Sequence, residues 1–219
     1  TARFVMSYLG GQIRPAGLDS IIDDDVNSQA VIGCDIAALS DPTINACSIE
    51  NNAGTGDRLA ISWIPPAGTT TDCTGANIAG FTPDTIIVNV FWVGFDATAN
   101  SNSLFCRGHL FDGTNVISGS AQAIANGVDA FHVLYGEATD PLPDNNARNV
   151  SHYVNADEVA DWARVYAIKI AVMTRSIGDI TNDINNSQYS MLDASLYNFN
   201  DAINRQVFSS TFTISNYQD

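Results

Sequence analysis

Cations are scarce in this 219-residue chain: Lys169 is the only lysine, and nine basic residues stand against 24 acidic ones, a net charge of -15. That shortage argues against nucleic acid as a partner, because binding it takes cations that displace counterions along the phosphates. An anionic membrane surface is disfavoured for the same reason. No apolar run approaches the ~20 residues needed to span a bilayer. The chain does not open on methionine, and the expectation is that a targeting segment lies upstream of Thr1.

The motifs of catalysis and cofactor binding are missing too. Neither G-x-x-x-x-G-K-S/T nor G-x-G-x-x-G occurs, no G-x-S-x-G elbow surrounds any serine, and His109, His132 and His152 form no H-E-x-x-H. These histidines read as structural or surface groups. The four cysteines, Cys34, Cys47, Cys73 and Cys106, contain no C-x-x-C. An even number without metal or redox spacing reads as two disulfides in an oxidising compartment, the alternative being four buried free thiols. Of three pairings the sequential one is preferred, Cys34 with Cys47 and Cys73 with Cys106, closing loops worth roughly 3 and 4 kcal/mol of chain entropy.

What the chain does have is apolar content, 45%, against only 15% charged residues. That suffices for a packed core. In TARFVMSYLGGQIR, Val5, Leu9 and Ile13 stand four apart beside Phe4 and Tyr8, a helical stripe stopped by Pro15-Ala16-Gly17. From Leu18 to Gly56 the text is turn-rich, carries Asp23-Asp24-Asp25, and reads as irregular structure. Strand signals follow: RLAISWI, TIIVNVFWVGF at 85–95, SLFCRGHLF at 103–111, VDAFHVLYG, VYAIKIAVMTRS and RQVFSSTFTISN. Asn155-Ala156-Asp157-Glu158 has capping-box form and predicts a short helix carrying Trp162. The stretch through Gln122 and Gly127 is less patterned, and an Asn-rich loop leads into the last strand. The sum is an α+β domain with six or seven mostly antiparallel strands.

Asp140, Asp144 and Asn145, with Asn146, offer the hard oxygen ligands that calcium takes, but their spacing falls short of an EF-hand. A solvated turn is the expectation there, and calcium is the one cofactor the sequence leaves open. Trp63, Trp92 and Trp162 lie in or beside patterned segments and are read as core.

The order of several segments resembles the PilW-type minor pilins of type IV pilus systems. RFVMSYLGGQIRPAG is similar to the second half of a pilin's long N-terminal helix. DRLAISW, the pair TDCTG and LFCRG, NGVDAFHVLYGEAT, DWARVYAIKIAVMTRS and RQVFSSTFTISN follow in the family's order. The resemblance implies a pilin-like fold in which residues 1–16 are a helix stub and residues 17–219 one disulfide-bonded β-rich head. It implies an assembly role without catalysis. Phe4, Val5, Tyr8, Leu9 and Ile13 belong to the assembly helix, facing either the chain's own sheet or a neighbouring helix. The expected partners are other minor pilins and the major pilin. The expected setting is the periplasmic face of the inner membrane, anchored by an upstream hydrophobic helix, and then the pilus tip. The isolated head is expected to be a monomer. Two other roles are open: the J-type minor pseudopilins of type II secretion resemble this architecture, and a tip adhesin would need an exposed aromatic patch or a calcium site.

Overall fold

Helix α1 (Ala2–Ile13) forms on the stripe set four residues apart, and Val5, Leu9 and Ile13 have no exposed surface. The computed structural model describes residues 1–17, 29–64, 71–80, 82, 85–138, 149–176 and 185–214. Gly10 weakens the helix intrinsically but lets it approach a strand closely: a Cβ there would sit 2.6 Å from Cε1 of Phe212. On its other flank the Tyr8 ring stands edge-on to Phe91 at 6.2 Å, and Asn89 Nδ2 donates to Gln12 Oε1 at 3.3 Å. The helix therefore packs against both sheets of the head.

Among the described residues, one sheet contains five strands. β1 (Arg58–Trp63), β2 (Ile86–Asp96) and β3 (Ser101–Phe111) pair in that order, and β4 (Val116–Ser118) and β5 (Gln122–Asn126) share the far edge of β3. A second sheet has the order β11-β8-β6-β7, from β6 (Val128–Glu137), β7 (His152–Val154), β8 (Val165–Arg175) and β11 (Arg205–Thr213). Every strand pair among the described residues is antiparallel. A hairpin of β9 (Asn185–Tyr189) and β10 (Tyr197–Asp201) forms a third, two-stranded sheet.

The near-continuous apolar run of β2 follows from burial on both faces. Phe91 and Val93 join Leu59, Leu104, Phe131, Ile170, Val172 and the α1 stripe in the main core. Val88 and Val90 point the other way, under a cover of Ile32, Ile36, Leu39 and Cys47. That cover is the irregular segment before β1, including the single-turn helix α2 (Ala37–Ser40), and the Cys34–Cys47 disulfide braces it. The second disulfide, Cys73–Cys106, ties a loop to β3. On β8, Ile168, Ile170 and Val172 face the main core, while Ala171 and Met173 face Met191, Tyr197 and Phe199 of the hairpin region.

Three expectations change. The helix expected from Asn155 is two separate turns. Asn155 does cap, accepting from the Asp157 amide at 3.1 Å, but Asp161 caps a second, 3₁₀ turn at Trp162–Arg164 by accepting from Ala163 N at 3.0 Å. Competing side-chain caps six residues apart break one helix into two starts. Trp162 is core as expected, packed edge-on against Tyr135 at 5.0 Å, whereas Trp63 and Trp92 are half-buried. The strand count of six or seven is too low because β4 and β7 are only three residues long and β5, β9 and β10 are short and rich in polar residues. The calcium candidates Asp140, Asp144 and Asn145, with Asn146, lie outside the described residues, as do Asp23-Asp24-Asp25.

Candidate functional site

Helix α1 presents two faces of opposite character. Val5, Leu9 and Ile13 are consumed by the chain's own core, so of the two roles open to them they fill the internal one. Tyr8 is half-buried; its hydroxyl donates to the Cys73 carbonyl, and burial, with Asp72 as a lesser cause, pushes it up to about 12. Phe4 differs from these four: it is 54% exposed and stacks on Tyr8 at 6.0 Å. The outward face is Arg3, Phe4, Ser7, Gly11 and Arg14, all exposed. Sequence reading picked Phe4 and passed over Arg3, Ser7, Gly11 and Arg14. Their spacing of three and four is as helical as the buried stripe, but hydrophobicity marks only the inward face.

The three histidines have different settings. His152 lies at the surface beside Glu137, at 3.4 Å. His109 is buried, with Nδ1 2.8 Å from Ser118 Oγ; burial, helped by Arg107 and Arg58, pushes it down to about 4. His132 is fully buried between Asp57 Oδ1 at 3.1 Å and the Tyr197 hydroxyl at 2.6 Å. Asp57 also accepts from Asn51 N at 3.0 Å and from Val133 N at 2.7 Å. Glu50 completes the group: one donor atom each from Glu50, Asp57 and His132 lie within 4.8 Å of one another.

Among the described residues these three are the group that could hold a metal. However, both His132 nitrogens and both Asp57 oxygens already have hydrogen-bond partners, so the cluster is closed around protons. Its outlier is Glu50, whose two oxygens are buried without a hydrogen bond of normal geometry. Burial above all, then Asp57 and Asp193, pushes its carboxyl up to about 7, with His132 and the Ala156 amide pulling weakly the other way. Because this folded value lies above the ordinary one, the stability involved is complete below pH ~4.5 and is lost as pH rises through ~7. Glu50→Gln removes the penalty. Its unfolding free energy relative to wild type is expected to climb between pH 5 and pH 8, by on the order of 1–2 kcal/mol after allowance for solvent screening, and its melting temperature with it. A pH-independent difference would contradict the assignment. The depressed His109 acts in the opposite direction but is common to both proteins and cancels.

Residues 90–216, more than half of the chain, match the family model described as type IV pilus-assembly protein W. The matched span runs from mid-β2 to the end of the second sheet. The chain belongs to the PilW family. It is a PilW-type minor pilin, and its short N-terminal helix on antiparallel sheets is the pilin-like α+β architecture. Among solved structures it is similar to a type IV-like pilin from Thermus thermophilus, with 13% sequence identity, a TM-score of 0.55, and coverage of 99% of this chain and 95% of that one. At that identity the likeness concerns the fold. No curated protein sequence matches the chain. For a PilW-family member the two disulfides fit a periplasmic or extracellular setting, and the outward face of α1 becomes the candidate assembly surface.

Proposed function

We propose that this chain is a minor pilin subunit that joins other minor pilins through the outward face of α1, helps to prime type IV pilus assembly, and rides at the filament tip. The observation that carries the reading is the family match over residues 90–216, combined with a helix whose inward face is locked into its own head. In this reading an upstream apolar helix continues α1, holds the subunit in the inner membrane, and drives assembly by packing against neighbouring helices. The head-proximal half then acts as a rigid extension. Ser7 and Gly11 let a partner helix approach closely, and Phe4 supplies an aromatic anchor between them and Arg3.

The charge balance bears on stoichiometry. Heads of net charge -15 repel one another side by side, which disfavours a filament made of this subunit alone. It favours a low-copy place beside less acidic subunits. No catalytic step enters the reading.

The test uses the full-length protein in its own cell. Phe4→Asp is expected to leave the head's unfolding free energy within about 0.5 kcal/mol of wild type, as for other exposed positions. Surface pili should fall by at least about tenfold, the loss of one anchor contact of 1.4 kcal/mol or more. Normal piliation in both the Phe4→Asp strain and a strain lacking the gene would overturn the proposal.

A further inference from the structure

The outer face of the five-stranded sheet is only partly covered by the disulfide-braced segment before β1, and beside that cover lies an open cavity of about 410 Å³. Its floor is set by register. Arg58 on β1 stands opposite Trp92 of β2, and Arg107 on β3 stands opposite Val90 of β2. The two arginines thus flank β2 on one face, two strand spacings apart, and both line the cavity.

Each is pinned to the main chain by one nitrogen. Arg58 Nε donates to the Cys47 carbonyl at 2.9 Å, and Arg107 Nε donates to the Gly119 carbonyl at 2.8 Å. That anchoring leaves the outer guanidinium nitrogens for a ligand, apart from a long contact of 3.4 Å between Arg58 Nη2 and Asn45 Oδ1. Neither arginine has a carboxylate within ion-pair distance among the described residues. By contrast, the deeply buried Arg205 holds both Asp129 and Asp201. Asp57 borders the cavity, but its oxygens are taken by His132, Asn51 and Val133. In a chain with 24 acidic residues and nine basic ones, two cations without a counter-ion in one cavity mark a place kept for an external anion. Burial lowers the pKa of Arg58 and keeps His109 neutral, so desolvated donors already line the wall.

We infer that this cavity binds a carboxylate-bearing sugar ring, with Arg58 and Arg107 gripping the carboxylate. The volume lies in the range of small-ligand sites and exceeds what one acidic side chain would fill. Forked guanidinium groups match a carboxylate. Trp92 supplies an apolar wall, and Asn51 and Thr55 supply amide and hydroxyl groups for ring hydroxyls. The inference goes beyond the assembly role and does not depend on it.

Calorimetric titration of the 219-residue chain with digalacturonate and N-acetylneuraminate, against neutral digalactose and a tetraglutamate peptide, tests it. At least one carboxylated sugar is expected to bind at least about tenfold more tightly than digalactose and tetraglutamate, since a charge-assisted fork is lost without the carboxylate and the ring contacts without the sugar. Arg107→Gln should weaken that binding at least about tenfold, with Arg107→Lys restoring part of it. Arg58→Gln is the companion variant, and if it unfolds the cover, Arg107→Gln decides alone. Equal binding of charged and neutral sugars, no binding of either, tighter binding of tetraglutamate, or full affinity in Arg107→Gln would each overturn the inference.

Discussion

Replacing Gly56 with alanine is expected to lower the melting temperature of the head by at least about 10 °C, a loss of roughly 4 kcal/mol or more in a domain of this size. Gly56 has φ +89°, a conformation that strains any residue with a Cβ. A Cβ there would also sit 2.1 Å from the Phe131 carbonyl oxygen and 3.0 Å from His132 Nε2. The obstacle is backbone, so a rotamer change cannot relieve it. The chain at Gly56 is where the first sheet is stitched to the second: Asp57 N donates to Phe131 O at 2.8 Å and Phe131 N donates to Thr55 O at 3.1 Å. Forcing the strands apart breaks both bonds and withdraws Asp57 from His132. Gly54→Ala is the control, because Gly54 also has positive φ but nothing lies within 4 Å of its added Cβ. It should lose only about 1–2 kcal/mol of backbone strain. Equal melting temperatures for the two variants in differential scanning calorimetry would defeat the stitching argument.

Asp129→Ala should be nearly as damaging, at about 3–5 kcal/mol, because it strips a buried charge network of its anion. Asp129, at the start of β6, holds Arg205 Nε at 2.7 Å and lies 3.0 Å from Arg175 Nε. The Arg205 contact is an aligned hydrogen bond; the Arg175 contact is a charge pair without that alignment. Arg205 also donates twice to Asp201 at 2.8 Å and lies 3.6 Å over the Phe199 ring. The network thus clamps the ends of β6, β8 and β11 to the β9–β10 hairpin. With Asp129 gone, the Arg205 and Arg175 guanidinium groups lose the carboxylate between them, and Asp201 hydrogen-bonds only Arg205. The hairpin should then become the first site of limited proteolysis. A variant losing less than about 1 kcal/mol in urea unfolding, with unchanged proteolysis, would show that Asp201 alone satisfies Arg205.

The legible parts of this fold carry their signal within one element. The α1 stripe, the alternation in β1 and β6, and the β-branched run of β2 each state burial locally, and each became the element it suggested. The hairpin did not, because Asn-Asn-Ser-Gln-Tyr is poor in strand formers. It exists because Tyr189, Tyr197 and Phe199 cover Met173 and Ala171 on the outside of β8. The exposed α1 face was hidden for a related reason: Arg3, Ser7, Gly11 and Arg14 are recognisable as outward only once Val5, Leu9 and Ile13 are known to point inward.

By itself the sequence determined the class of protein: an acidic, cysteine-paired, strand-rich head behind a helical stripe, with segments in the order of the PilW family. Periodicity and composition are properties of neighbouring residues, so they survive without coordinates. Only the tertiary structure decided that Asp57 and His132, 75 residues apart, share a buried cluster with Glu50, that Arg58 and Arg107 line one cavity from either side of β2, and that Gly56 must remain glycine. Those facts depend on strand register and on which layers stack, and a one-residue slip in register would move every such side chain to the opposite face.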